Sequence, residues 1–302
     1  MAAPLHSPPI HSAAVIDGLE DLHALSHALA PHPDAPDSPV TTFDVVRALS
    51  TCPSVKSSLE LQGMTSPTFE AIEAWLLSRG TVDKAQLASL APSERRAALL
   101  MFHQVERSHC PVDVDEESEC VRRTVMYKAA KLLLQAQMLM PKNNWVQQQL
   151  AIARVSVLLH SWLRREPYEG VDTHPYPRLQ LDVSVSAHSG EGVIRPGSLV
   201  RVEMLLIREH AIQPEDSHAK TEDRAALEAY WNYLEGVKPP GTPNSLLAAQ
   251  PLVVTNPSQK ALPAEVTFIA PPAPGTYALR VHIMSASVAG VELEQDVEFA
   301  VV

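Results

Sequence analysis

His23 and His27 stand four residues apart, a spacing that on a helix turns both imidazoles toward one metal ion. A full ligand set needs further donors. The nearest are His6, His11 and His32, in segments without helical or strand patterning, so solvated histidines are the expected reading and no metal site is assigned. His109-Cys110 pairs a base with a nucleophile by residue type. Neighbours on a helix point about 100° apart, so the two are not expected to meet, and Cys110 is read as a packing residue. No glycine-rich phosphate loop, nucleophile elbow or zinc-protease motif occurs, and glycine, 11 residues in all, is scarce where catalytic turns would need it. No catalytic, cofactor-binding or metal-ligating residue is therefore assigned, binding residues stay unspecified, and the chain is read as a protein other than an enzyme.

The elements that would position any site divide the 302 residues in two. Hydrophobic residues make up 45 %, enough for two cores, while 26 prolines point to stiff connections. The formal net charge is −11: residues 1–174 carry 15 basic and 20 acidic side chains, and the remainder 9 and 15. Two mildly acidic halves argue against a surface that tracks nucleic-acid phosphates or anionic lipid. Cys52, Cys110 and Cys120 are too few for a disulfide framework and lack metal-site spacing, which fits reduced thiols in a cytosolic compartment. No apolar run approaches the roughly 18–20 residues that span a bilayer, and the histidine- and proline-rich start is unlike a signal peptide. A soluble chain without its own membrane span is expected.

Residues 1–15 read as a flexible tail and 16–168 as a helical domain. Leucines 19, 22, 25 and 29 recur at helical spacing; Thr41 and Thr42 offer a cap to a helix carrying Phe43, Val46 and Leu49. Ser66-Pro67 opens and Gly80 closes another helix, Pro92-Ser93 starts a further one, and two long helices meet at Pro141, over roughly 118–140 and 143–165. In the last, Val146, Leu150, Ala153, Val157 and Leu158 are expected on the buried side, with Gln147, Gln148 and Arg154 as polar cover. After Pro175 the period falls from 3.6 to 2. Seven strand candidates follow, over 179–185, 199–208, 230–234, 247–255, 265–269, 277–285 and 291–301, with a charged surface insertion at 209–226. The fold class is thus α+β: an all-α half, then an immunoglobulin-like β-sandwich of the fibronectin III type over 175–302. Trp231 is expected to fill the sandwich core, and the sandwich to fold alone.

The final 75 residues or so carry a recognisable pattern: the proline-rich turn Ala270–Gly275, Thr276-Tyr277, Met284-Ser285, Gly290, and Glu294-Gln295-Asp296-Val297. Upstream stand Arg195-Pro196-Gly197-Ser198-Leu199-Val200, Arg208, the aromatic pair Tyr230-Trp231, and Asn244-Ser245-Leu246-Leu247; in the helical half, Asn144-Trp145 and His160-Ser161-Trp162. Together these resemble the Sec sixty-three domain, found in the cytosolic part of the endoplasmic-reticulum translocon subunit of that name and in spliceosomal-type helicases. The resemblance covers about residues 40–302. Departures are plain. The dozen residues between Trp162 and Tyr176 leave no room for the family's small helix-hairpin-helix module, and no J domain, membrane spans or acidic tail is found. His32-Pro33-Asp34 is the tripeptide of J-domain co-chaperones, but the preceding helix bears Glu20 and Asp21 and no basic residue, so a loop is expected there and co-chaperone activity is not carried over.

The resemblance implies a scaffold for protein transport on the cytoplasmic face of the endoplasmic reticulum. There the protein-conducting channel and its associated Sec subunits would be its partners in post-translational translocation, with no cofactor and no direct nucleic-acid contact. A helicase-associated domain in RNA processing, or an enzyme with an unrecognised site, is the alternative. The run Pro251–Asn256 is closer to the translocon form. Anchors for a partner are expected in the turns 239–244, 256–261 and 286–291.

Overall fold

The computed structural model describes residues 12–33, 35–60, 66–106, 109–114, 116–159, 178–190, 192–209, 228–256 and 258–302. The chain is α+β: eight helices in the N-terminal half, two antiparallel sheets in the C-terminal half, among the described residues. The helices are α1 (Ser12–Ala28), α2 (Thr42–Thr51), α3 (Pro53–Glu60), α4 (Ser66–Arg79), α5 (Lys84–Ala88), α6 (Pro92–Val105), α7 (Glu116–Leu139) and α8 (Val146–Leu159). A 3₁₀ turn, Met140–Asn143, joins the last two. α1 begins inside the stretch read as a tail.

Local chemistry sets these boundaries. Thr41 caps α2 reciprocally: its hydroxyl accepts from the Asp44 backbone N–H at 3.2 Å, and the Asp44 carboxylate accepts from the Thr41 N–H at 2.9 Å. Asp83 and Gln86 do the same for α5, and Gly80, at φ 70°, ends α4 where a side chain would be strained. Leu49, Ile72, Leu76, Leu100, Phe102 and Leu133 are fully or almost fully buried in one core. The short helices α3 and α5 were not foreseen. Each carries too few periodic apolar positions to show a helical stripe.

The strands are β1 (Leu179–Ala187), β2 (Leu199–Arg208), β3 (Ala229–Val237), β4 (Ser245–Val253), β5 (Ala261–Ile269), β6 (Gly275–Ser285) and β7 (Glu292–Val301). One sheet runs β1-β2-β5 and the other β4-β3-β6-β7. Alternation turns Leu181, Val202, Leu206 and Val266 of the first sheet into a core shared with Tyr230, Leu234, Val281 and Phe299 of the second. Each expected strand coincides with one of these seven; the expected insertion and His160-Ser161-Trp162 lie outside the described residues, apart from Glu209.

β3 departs from simple alternation because both its faces are covered. Tyr230, Asn232 and Leu234 point into the sheet pair; Trp231 and Tyr233 point the other way, onto α8. There Val146, Leu150 and Ala153 of α8 pack with Trp231, Tyr233, Leu246 and Met284 in a third apolar cluster. Trp231 is thus buried, but in the seam between the halves and not in the sandwich core where the sequence placed it. α8 is correspondingly two-sided: Ile152, Val155 and Leu159 face the helical core. Gln148, expected as polar cover, is buried.

Candidate functional site

Among the described residues, those that suggested chemistry lie apart. His23 and His27 are exposed along α1, and His32 lies in a tight turn where the Ala35 N–H donates to its carbonyl at 3.0 Å. His6, His11 and Asp34 fall outside the described residues. Among the described residues no three His, Cys, Asp or Glu side chains gather as a metal site would require. His109 and Cys110 sit in the loop after α6, not on a helix, where their backbone N–H groups donate to the Glu106 carbonyl at 2.8 and 3.0 Å. Burial raises the Cys110 thiol above its ordinary pKa. Cys52 is fully buried, and burial, with Asp21 nearby, pushes it up to about 12. Neither is held as the thiolate at neutral pH.

Buried charge is instead placed where elements meet. Arg208, at the end of β2, is held by Glu228: its Nε donates to Oε1 at 2.9 Å, and its Nη1 reaches the Gln259 carbonyl at 2.5 Å. The Tyr230 hydroxyl donates to the same carboxylate, and burial raises the phenol pKa first, then Glu228. This cluster ties the β2 and β3 ends to the β4–β5 turn. In the helical half Arg122 spans Glu119 and Gln104 in the same manner.

A second polar cluster borders the α8 seam. Glu235 on β3 and His282 on β6 meet at 2.7 Å, with side chains 2 % and 7 % exposed. The other His282 ring nitrogen lies 3.4 Å from Glu294, and Asn244 donates to Glu235 at 2.6 Å. Burial works to raise the Glu235 pKa, but the His282 and Asn244 hydrogen bonds outweigh it and hold the carboxyl below its ordinary value. Arg280 beside them is shared between Asp296 and Glu294, at 2.7 and 3.2 Å.

Among the described residues, three polar contacts cross from the helical half. The Asn144 side-chain oxygen accepts from the Leu246 N–H at 2.5 Å, Asp37 accepts from the Asn244 N–H at 3.3 Å, and Arg154 grips Glu292 with Nε and Nη2. Asn144 adopts φ 60°, the left-handed region that asparagine tolerates better than most residues. Sequence reasoning missed Asn144 and Asp37 as residues that join the halves; the signal it had was the run Tyr230-Trp231-Asn232-Tyr233-Leu234, with large apolar residues on both faces where a strand with one wet face would have them on one.

No described element packs on the outward face of the β1-β2-β5 sheet. That face holds a hollow of about 530 Å³ lined by Asp182, Ser184, Glu203, Leu205, Pro263 and Glu265. Glu203 and Glu265 are directly opposed across β2 and β5, with Arg201 Nε 3.3 Å from Glu265. Such a surface offers polar and apolar contact to a partner. Of the three expected anchor turns, 239–243 are exposed while Asn244 beside them meets Asp37 of the helical half; in 286–291 Ser287 and Val291 are buried, Ser287 Oγ accepting from the Ala229 N–H, and Gly290 is exposed; in the turn 256–261 Asn256, Lys260 and Ala261 are exposed.

No family model matches this chain, and no curated protein does. Solved structures returned as similar include a β-glucosidase involved in saponin metabolism from intestinal bacteria (17 % identity, 43 % of this chain and 17 % of that one, TM-score 0.24). A β-glucosidase from Listeria innocua in complex with gluconolactone matches at 16 % identity over 45 % and 19 %, with TM-score 0.22. The alkylpurine DNA glycosylase AlkC of Pseudomonas fluorescens, bound to DNA with an abasic-site analogue, matches at 14 % identity over 86 % and 76 %, with TM-score 0.24. The chain spans less than a fifth of the length of these β-glucosidases. At such TM-scores none of these likenesses bears on fold or function.

Proposed function

We propose that the chain is a non-enzymatic scaffold whose helical half and immunoglobulin-like sheet pair act as one body presented to a protein partner. The observation that carries this reading is the sealed junction. α8 lies across β3, β4 and β6, and Asn144, Leu246, Trp231, Asn244 and Met284, residues that bear the Sec sixty-three resemblance, stand at that seam or beside it. Residues that suggest a family by type are thus also those that join the halves. Strand orders of 1-2-5 facing 4-3-6-7 suit a fibronectin III-type sandwich.

On that resemblance the partner is the protein-conducting channel of the endoplasmic reticulum, met on its cytoplasmic face. The described helices include none long and apolar enough to cross a membrane, so attachment through such a partner suits them. Binding rests on apolar and backbone contacts of the exposed β turns and open sheet face, because both halves are acidic and exposed ion pairs contribute little each.

The test is titration of the full chain against channel cytosolic loops at roughly 50 and 500 mM salt, a range that spans strong and weak screening. Retained affinity supports the reading. A loss above about a hundredfold points to an electrostatic interface. No binding at either salt rejects the translocon assignment, and proximity labelling that recovers spliceosomal proteins instead would move the chain to RNA processing.

A further inference from the structure

α7 runs for 24 residues and buries Val121, Val125, Ala129, Leu132, Leu133 and Ala136 in the helical core. Its opposite side carries a second stripe. At 3.6 residues per turn, Cys120, Thr124, Tyr127, Lys131, Leu134 and Met138 fall within about 80° of arc. All six are exposed, Tyr127 at 70 %, Leu134 at 49 % and Met138 at 66 %. A helix face turned to water is ordinarily charged or polar, and three large apolar side chains in one row form a seam without a partner among the described residues.

The spacing of the row alternates four and three, the repeat of a coiled coil, with Thr124, Lys131 and Met138 at a and Cys120, Tyr127 and Leu134 at d. A parallel partner copy would press Lys131 against Lys131. An antiparallel copy related by a two-fold axis at Ala129 sets every a residue against a d residue. Lys131 then lies over the Tyr127 ring, Thr124 meets Leu134, and Cys120 meets Met138. The same axis places Glu116, at the acidic start of α7, opposite Lys142 just past its end, and it opposes the helix dipoles. Charge and apolar pattern are thus self-complementary in a single orientation.

We propose that α7 pairs antiparallel with α7 of a second copy of this chain, through the row Cys120 to Met138. A single two-helix seam of this length buries roughly 1,000 Å², at the low end for a specific interface, so the dimer is weak, with Kd of order micromolar. It does not depend on the identity of any other partner.

Sedimentation velocity of the full chain from about 1 to 200 µM, bracketing that Kd, is expected to show one copy passing to two. Leu134→Glu, at an exposed position, should keep the thermal melt and hold the protein monomeric throughout. Met138→Cys should give an intermolecular disulfide between the introduced thiol and Cys120 under mild oxidation, while the unaltered chain should give no Cys120–Cys120 link. A monomer at every concentration overturns the proposal and leaves the row to a helix of another protein. A dimer that survives Leu134→Glu, or a Cys120–Cys120 link, overturns it as well.

Discussion

At the scale of single residues, the buried groups sort by whether they titrate. Glu235 is ionised in a nearly dry setting because His282 and Asn244 both donate to it, and its pKa is held below the ordinary 4.5. A depressed carboxyl pKa contributes stability that is fully present above the unfolded value and is lost as pH falls through the folded one. Thermal melts from pH 7 down to about 3, spanning both values, should therefore show the native protein losing stability faster below pH 4.5 than Glu235→Gln, which starts lower and falls less. Parallel acid limbs for the two proteins would mean that Glu235 plays no part. Cys52 gives an independent check on burial. With its pKa pushed up to about 12 and its thiol donating to the Asp21 and Ala48 carbonyls, it should resist a thiol-specific disulfide reagent at neutral pH until the protein unfolds. Exposed Cys120 should react at once. Equal rates for the two would place Cys52 at the surface.

At the scale of elements, the joint between α7 and α8 decides how the halves meet. Asn144 supplies both the left-handed turn and the acceptor for Leu246. Asn144→Gly keeps the backbone conformation and loses one hydrogen bond, whereas Asn144→Ala loses both, so denaturant titration should rank them in that order. The expected losses are about 1 and about 2 kcal/mol; equal losses would mean that backbone conformation contributes nothing. The strands were legible in the sequence because alternation survives wherever one face is dry, as in Leu181, Val183 and Val185 of β1. β3 and α8 were legible as elements but not as neighbours. Each is apolar on two sides, and periodicity shows that a face is buried without showing what covers it. For that reason Trp231 was assigned to the wrong core. The Glu235–His282 pair, 47 residues apart in sequence, needed the pairing of β3 with β6 to bring it together.

At the scale of the whole molecule, the seam determines whether 302 residues behave as one folding unit or two. The sequence favoured a sandwich able to fold alone. Cutting at the connection between α8 and β1 would expose Trp231, Tyr233, Leu246 and Met284 together on the outer face of the β4-β3-β6-β7 sheet. The contacts that hold them are mainly apolar. An ion pair in the seam, Arg154 with Glu292, is a third to a half exposed and contributes about 0.2–1 kcal/mol, further screened by salt. Coupling should therefore persist in high salt and fail when the apolar filler is removed. In calorimetry the intact chain is expected to give a single transition with equal calorimetric and van't Hoff enthalpies. Trp231→Ala deletes the largest side chain of the seam and should cost about 3–5 kcal/mol, the usual range for a buried aromatic. Because that loss falls between the two cores and not inside either, the transition should also split, with near-native ellipticity of one class surviving the first step. A fragment over 174–302 should melt at a lower temperature than the intact chain and bind hydrophobic dye while still folded. If that fragment matches the intact chain in melting temperature, or if Trp231→Ala costs under about 1 kcal/mol, as at surface positions, the halves are tethered bodies and the seam does not bind them into one.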